Sequence, residues 1–238
     1  MTRFTQAAIP HPLTSMPTSC HWKHNSMKAA VLWTGGKDSA LALHVSLNLY
    51  DIRRLVCFVP AEDRQFYAHP RPLMELQARK IGIPIAFMPI AEPYQSSYRQ
   101  QIRVLRDSGI EVLITGDIST VDGMPNWIES VATNLAGVYK PLWELDRHAI
   151  LDTLFSEKFE VICSLAYNKF FVPTIAGRYL DAELISELKQ LPVDACGEQG
   201  EYHTWVLDAP FFKEPVRLKG TRVVEMAAYS YLTYEHAT

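Results

Sequence analysis

From Met27 onward, short apolar runs alternate with longer segments in which apolar residues recur every three or four positions. Ala29 to Trp33 is one such run. It stops at Thr34-Gly35-Gly36, the pattern of a buried strand entering a tight turn. Asp38 to Tyr50 follows with Leu41, Val45 and Leu49 spaced four apart, which predicts a helix with one apolar stripe. Leu55–Val59 predicts a second buried strand closed by Pro60. Pro70–Ile81 predicts a second helix, with Leu73, Leu76 and Ile81 apolar and Gly82 at its end. Ile85–Ile90 reads as a third strand, Tyr94–Arg106 as a polar-faced helix ending before Gly109, and Glu111–Thr115 as a fourth strand running into Gly116-Asp117. A helix over Asn126–Ala136 closes the series. This order, with continuous apolar strands, predicts an α/β fold: a doubly wound, mostly parallel sheet with right-handed crossovers and helices on both faces. Ligands of such sheets sit beyond the carboxyl ends of the strands. That rule gathers Thr34–Ser39, the loop after Val59 and Gly116-Asp117 around one crevice, with backbone near Val59 placed to read a base.

The texture changes near residue 141. Asp146–Phe155 and Asp181–Lys189 read as helices, and Glu160–Leu165, Thr204–Leu207 and Pro215–Glu225 as strands. The chain therefore divides into a principal domain over 27–140 and a smaller C-terminal α+β region over 141–238. Residues 1–26 have a different composition, with no Asp or Glu, prolines at 10, 12 and 17, and Arg3 and Lys23 as their basic residues. They are expected to form a disordered leader, since a transit peptide would be Arg-rich and amphipathic.

Composition narrows the classes. The chain has 238 residues, 48% of them hydrophobic, enough for a sizeable core. A net charge of −3 lacks the basic excess of a protein that grips phosphate backbones, so direct nucleic-acid binding is not expected. The most apolar stretch, Ile81 to Ala91, is short and interrupted by Gly82, Pro84 and Pro89, so no bilayer span is expected. Cys20, Cys57, Cys163 and Cys196 are far apart and form no C-x-x-C pair. That argues against a zinc ribbon or disulfide scaffold and fits a reducing, cytoplasmic setting.

Two segments concentrate chemistry. In Thr34-Gly35-Gly36-Lys37-Asp38-Ser39, two glycines let the backbone turn sharply and present N–H groups to an anion. The helix N-terminus adds partial positive charge, Lys37 a full one, and Thr34 and Ser39 hydroxyl donors. Asp38 repels a bare phosphate and makes sense as a ligand for Mg²⁺ carried on a pyrophosphate; the plainer alternative is a strand–helix turn with Asp38 or Ser39 near the cap. The second segment runs from Cys196 to Pro210. Gly197 and Gly200 break regular structure, and Glu198 and Glu201 project carboxylates from a constrained turn, suited to a cationic or polar substrate group or a metal. Solvated glutamates in a simple turn are the alternative.

The first segment resembles the S-G-G-x-D-S loop of the ATP pyrophosphatases, with Thr34 in place of the first Ser. The second resembles the G-E-x-G-E-[FY]-x-T…D-x-P signature of the diphthine–ammonia ligase family within them. Gly116-Asp117-Ile118, Trp127-Ile128-Glu129, Pro141-Leu142-Trp143 and Asp146-Arg147 extend the likeness, which covers about residues 27–212. The resemblance implies an adenine nucleotide alpha hydrolase-like fold of the HUP type. It also implies a ligase that uses ATP and Mg²⁺ to adenylate a carboxylate, diphthine on elongation factor 2, and lets ammonia displace AMP. Carried onto this chain, Thr34, Gly35, Gly36 and Ser39 hold the pyrophosphate, Lys37 neutralises it, and Asp38 binds Mg²⁺. Asp117 is a second magnesium ligand, a nucleotide-orienting group or a turn cap. Glu198 and Glu201 orient the acceptor, Tyr202 offers cation–π attraction to a trimethylammonium group, and His203 is a general base near neutral pH or a structural histidine. Diphthine-specific members have Glu where this chain has His203, which leaves the acceptor open between diphthine and another carboxylate. Trp127 and Trp143 are expected to pack, and Arg147 to meet phosphate or to pair with Asp146 or Glu144. A tRNA-directed pyrophosphatase, a non-catalytic nucleotide sensor and a homodimeric state remain as alternatives.

Overall fold

A computed structural model describes residues 27–62, 67–120, 123–124 and 126–238. The leader over 1–26, Cys20 included, lies outside the described residues. Seven elements carry the candidate loop and its surroundings: β1 (Lys28–Leu32), α1 (Lys37–Ser46), β2 (Asp51–Pro60), α2 (Arg71–Ile81), β3 (Ile85–Ile90), α3 (Tyr94–Asp107) and β4 (Val112–Ile114). They are followed by α4 (Trp127–Ala132) and β5 (Gly137–Tyr139). The strands form a parallel sheet in the order β3-β2-β1-β4-β5. Alternation in β1 shows how both faces are covered. Ala29 and Val31 join the core beneath α1 and α2, whereas Ala30 joins Met88, Ile102, Leu105, Ile128 and Val131 beneath α3 and α4. The fold is α/β and wound on both faces, with the chain reversing direction between β1 and β4, where such sheets bind ligands.

The C-terminal region adds α5 (Arg147–Ser156), β6 (Glu160–Tyr167), α6 (Ala182–Leu188), β7 (Tyr202–Asp208), β8 (Leu218–Lys219), β9 (Arg222–Glu225), β10 (Tyr229–Thr233) and β11 (His236–Ala237). An antiparallel sheet runs β7-β6-β10-β9, and β8 pairs with β11. Asp146 and Asp181 cap α5 and α6, accepting from the Ala149 and Leu184 amides at 2.9 Å.

Several elements differ from the pattern. Helix α1 stops at Ser46, so Leu49 lies beyond it and is 54% exposed. Nor does α1 carry a single stripe: Ala40, Leu41, Ala42 and Leu43 are all buried, because the helix sits between the parallel sheet and β7. The expected strand over 215–225 is two strands broken at Gly220, which has φ +64°. Strands β5, β10 and β11 have no counterpart in the sequence reading.

Candidate active site

The loop between β1 and α1 is held by three elements distant in sequence. Gly35 has φ +78°, and a Cβ there would stand 2.5 Å from the Gln77 side chain. Its carbonyl accepts from the Val206 amide at 2.9 Å and from Gln77 Nε2 at 2.9 Å. Gly36 is the helix N-cap in extended conformation with no side-chain cap of its own, and Thr204 Oγ1 on β7 accepts from the Lys37 amide at 3.0 Å instead. Gly116 at the end of β4 fits because it has no Cβ: one would lie 2.5 Å from the Asp38 carbonyl carbon and 2.7 Å from the Ser39 amide. Within the loop, the Thr34 and Ser39 hydroxyls lie 3.3 Å apart, Ser39 Oγ donates to the Gly36 carbonyl at 3.0 Å, and the Gly36 amide reaches Thr34 Oγ1 at 3.4 Å.

Lys37 is turned away from the crevice. Its side chain is buried, and the ammonium donates to Asp38 Oδ2 at 2.8 Å and to the Cys196 carbonyl, while lying 5.2 Å from the Tyr202 ring centre. Burial lowers its pKa, but Asp38, Cys196 and Glu198 outweigh that and raise it overall. Without a ligand its charge is paired with Asp38 and with the Cys196 carbonyl of the C-terminal segment. Asp38 keeps Oδ1 buried without a partner, and burial pushes its carboxyl up against the pull of Lys37.

The C-terminal signature closes the site from the other side. Glu198 Oε1 accepts from the Ile118 and Ser119 amides at 2.9 and 3.3 Å, which fixes the loop after β4, and burial raises its pKa. Glu201 is buried. Its oxygens accept from the Asp194 and Gln199 amides at 3.0 and 3.1 Å, so it organises its own turn. Tyr202 is buried too, with its hydroxyl on the Ala195 carbonyl at 2.8 Å and its ring beneath Lys37. Alternation along β7 sends Tyr202, Thr204 and Val206 into the interior between the two sheets.

His203 points to the other face. Its ring lies 5.2 Å from that of His69, and burial followed by the Lys37 charge pushes its pKa down to about 4. It is therefore neutral near neutral pH. Asp117 Oδ2 accepts from Asn126 Nδ2 at 2.5 Å, and Asn126 in turn caps α4. Arg147 pairs with neither Asp146 nor Glu144: it donates to Asp194 at 2.9 Å and to Ser119 Oγ at 2.7 Å. Trp127 stacks near Tyr98 and Phe58, and Trp143 lies under Lys140. The sequence reading missed Gln77, Asp194, Ser119 and His69. Gln77 had a signal, a polar residue between Leu73 and Ile81 on the buried stripe of α2.

Asp38 suits a magnesium ligand. It offers one buried, unpartnered carboxylate oxygen, and among the described residues no three His, Cys, Asp or Glu side chains converge as a protein-only cage. That donor set fits a cation coordinated mostly by substrate phosphates.

A glycine loop at the switch point of a β3-β2-β1-β4-β5 parallel sheet defines a doubly wound α/β protein with a ligand crevice at the carboxyl ends of its strands. Residues 27–138 match the family described as diphthamide synthase N-terminal domain, and residues 146–237 the diphthamide synthase C-terminal domain. The chain belongs to the diphthamide synthase family. Among solved structures, a predicted subunit of a tRNA methyltransferase from Methanocaldococcus jannaschii is similar at 20% identity and a TM-score of 0.41, over 57% of this chain and 77% of that one. A formyltetrahydrofolate deformylase from Burkholderia mallei is similar at 17% identity and a TM-score of 0.30, over 65% of this chain and 42% of that one. No protein of curated function matches the chain. Among the described residues, no helix is long and apolar enough to cross a membrane.

Proposed function

We propose that this protein is an ATP-dependent, amide-forming ligase that converts a carboxylate to an amide through an acyl-adenylate. The observation that carries this reading is the glycine loop at the end of β1, capped by Thr204 and packed against Gly116, with the glutamate turn of the C-terminal region fixing the loop after β4. A carboxylate oxygen of the acceptor attacks the α-phosphorus of ATP, the bond from that phosphorus to the α–β bridging oxygen breaks, and pyrophosphate leaves. Ammonia then attacks the activated carbonyl carbon, AMP departs with the former carboxylate oxygen, and the nitrogen loses a proton to solvent. Both displacements depend mainly on positioning and charge neutralisation. The loop amides and the Thr34 and Ser39 hydroxyls hold the departing pyrophosphate. Asp38 Oδ1 would hold Mg²⁺, which when bound neutralises that leaving group.

The family acts in diphthamide biosynthesis, so diphthine on elongation factor 2 is the first acceptor to consider. A second acceptor class is favoured by the site itself. Glu201 and Tyr202, two of the groups expected to attract a trimethylammonium, are buried rather than assembled on an open surface. A different carboxylate that lacks this cation is the alternative substrate. The test is incubation with Mg-ATP and ammonium, with and without diphthine-bearing elongation factor 2. AMP and pyrophosphate that depend on the factor, an amide on it, and loss of both in Asp38→Asn support the diphthine reading. Nucleotide cleavage that ignores the factor sends the search to other carboxylates, and release of ADP and phosphate contradicts the chemistry.

A further inference from the structure

Gln77 lies outside both segments that the motif reading singled out, yet it is fully buried at the centre of the loop's supports. Every hydrogen-bonding group of its amide is used. Nε2 donates to the Gly35 carbonyl at 2.9 Å and to the Val206 carbonyl at 2.8 Å, and Oε1 accepts from Trp33 Nε1 at 3.2 Å. One side chain on α2 thus joins the end of β1, the glycine loop and β7. Because the amide has two donors and one acceptor in use, neither a carboxylate nor an apolar side chain of the same size reproduces the set.

The consequence concerns the peptide between Gly35 and Gly36. A trans peptide is planar, so its carbonyl and its N–H point in opposite directions. A peptide between two glycines flips easily, since neither residue has a Cβ to oppose the alternative backbone. Flipped, it would present carbonyl lone pairs to an incoming anion in place of an N–H donor. Val206 N–H and Gln77 Nε2 both hold the Gly35 carbonyl on the side facing away from the loop's mouth. The Gly36 N–H is thereby left on the opposite side, where it makes only a long hydrogen bond, 3.4 Å, to the Thr34 hydroxyl. We propose that Gln77 is a positioning residue that locks the Gly35–Gly36 peptide in the anion-accepting orientation and so sets the affinity of the site for the pyrophosphate portion of the nucleotide.

This rests on the reading of the loop as a pyrophosphate site, and the experiment separates the two. Binding of Mg-pyrophosphate and of adenosine is measured by calorimetry on the full chain for wild type, Gln77→Met and Gln77→Glu. A thermal melt is recorded for each. Gln77→Met removes the donors at nearly constant volume, and Gln77→Glu turns a carboxylate oxygen toward two carbonyls. Both variants are expected to bind Mg-pyrophosphate about tenfold or more weakly, equivalent to about 1.4 kcal/mol, with adenosine affinity unchanged. Should one variant fail to melt as a folded protein, the other carries the comparison. Should both fail, a wild-type Gly36 amide resonance that does not shift on titration with Mg-pyrophosphate overturns the proposal, and one that shifts supports it. Wild-type affinity for Mg-pyrophosphate in a folded variant, or equal loss of pyrophosphate and adenosine binding, overturns the positioning role. Wild type binding adenosine but no Mg-pyrophosphate overturns the loop reading itself.

Discussion

Lys37 shows how a motif residue acquires its meaning from its surroundings. Its sequence neighbours make it a phosphate ligand, but its burial against Asp38, the Cys196 carbonyl and the Tyr202 ring makes it the post on which two parts of the chain meet. An ion pair so enclosed contributes little by itself, while loss of one partner strands a charge and costs about 3–5 kcal/mol. Nothing in a six-residue motif shows which way such a side chain turns. His69 and His203 carry a second residue-scale consequence. Burial, with His203 beside it, pushes His69 to about 4 from an ordinary 6.5, and burial with the Lys37 charge does the same to His203. Between those values the unfolded chain binds protons that the folded chain refuses. Stability therefore falls as pH drops from about 6.5 toward about 4, and neither imidazole penalises folding above that window. Thermal unfolding across this range is expected to show that decline, with a shallower slope in His69→Gln. An identical slope in the variant would remove His69 from the account.

At the scale of elements, what was legible followed from local pattern. Buried parallel strands are continuous apolar runs and were visible, as were α2 with its terminal Gly82 and α3. Helix α1 was extended too far because the pattern assumes one buried face, and this helix is packed on both sides. The short strands β5 and β11 were lost because their pairing partners, rather than their own residues, make them strands, whereas the alternating, Tyr-rich signal of β10 was passed over. In the site, the loop and the glutamate turn were legible as motifs. The roles of Glu201 and Tyr202 were not, since strand alternation read without a partner sheet leaves inside and outside undefined. The bond from the Lys37 amide to Thr204 Oγ1 is a case in point: an α1 N-terminus that lacks its own cap is completed by a residue 167 positions away. Thr204→Val keeps the shape and removes the acceptor. It is expected to lower stability by about 1 kcal/mol in denaturant unfolding, with Thr204→Ser close to wild type. Equal stability of Val and Ser variants would mean that the cap carries no weight.

Across the whole molecule, one core joins the two regions. Ala40, Leu41 and Val31 from the parallel half share it with Cys163, Tyr202 and Val206 from the antiparallel half. The candidate site lies on this seam, with the glycine loop supplied by one half and the cap, the glutamate turn and the Lys37 acceptor by the other. That division suits a reaction in which one half grips the nucleotide and the other brings the acceptor. Diphthamide synthase membership supports an ATP-dependent enzyme, and the proposed reaction and its acceptor are left to experiment. The central claim is that an acceptor carboxylate attacks the α-phosphorus. The most direct measurement labels that carboxylate with oxygen-18 and analyses the nucleotide product after turnover with Mg-ATP and ammonium. The account predicts AMP carrying one labelled oxygen, with pyrophosphate unlabelled. Label in inorganic phosphate together with ADP, or AMP free of label while amide is formed, would contradict it.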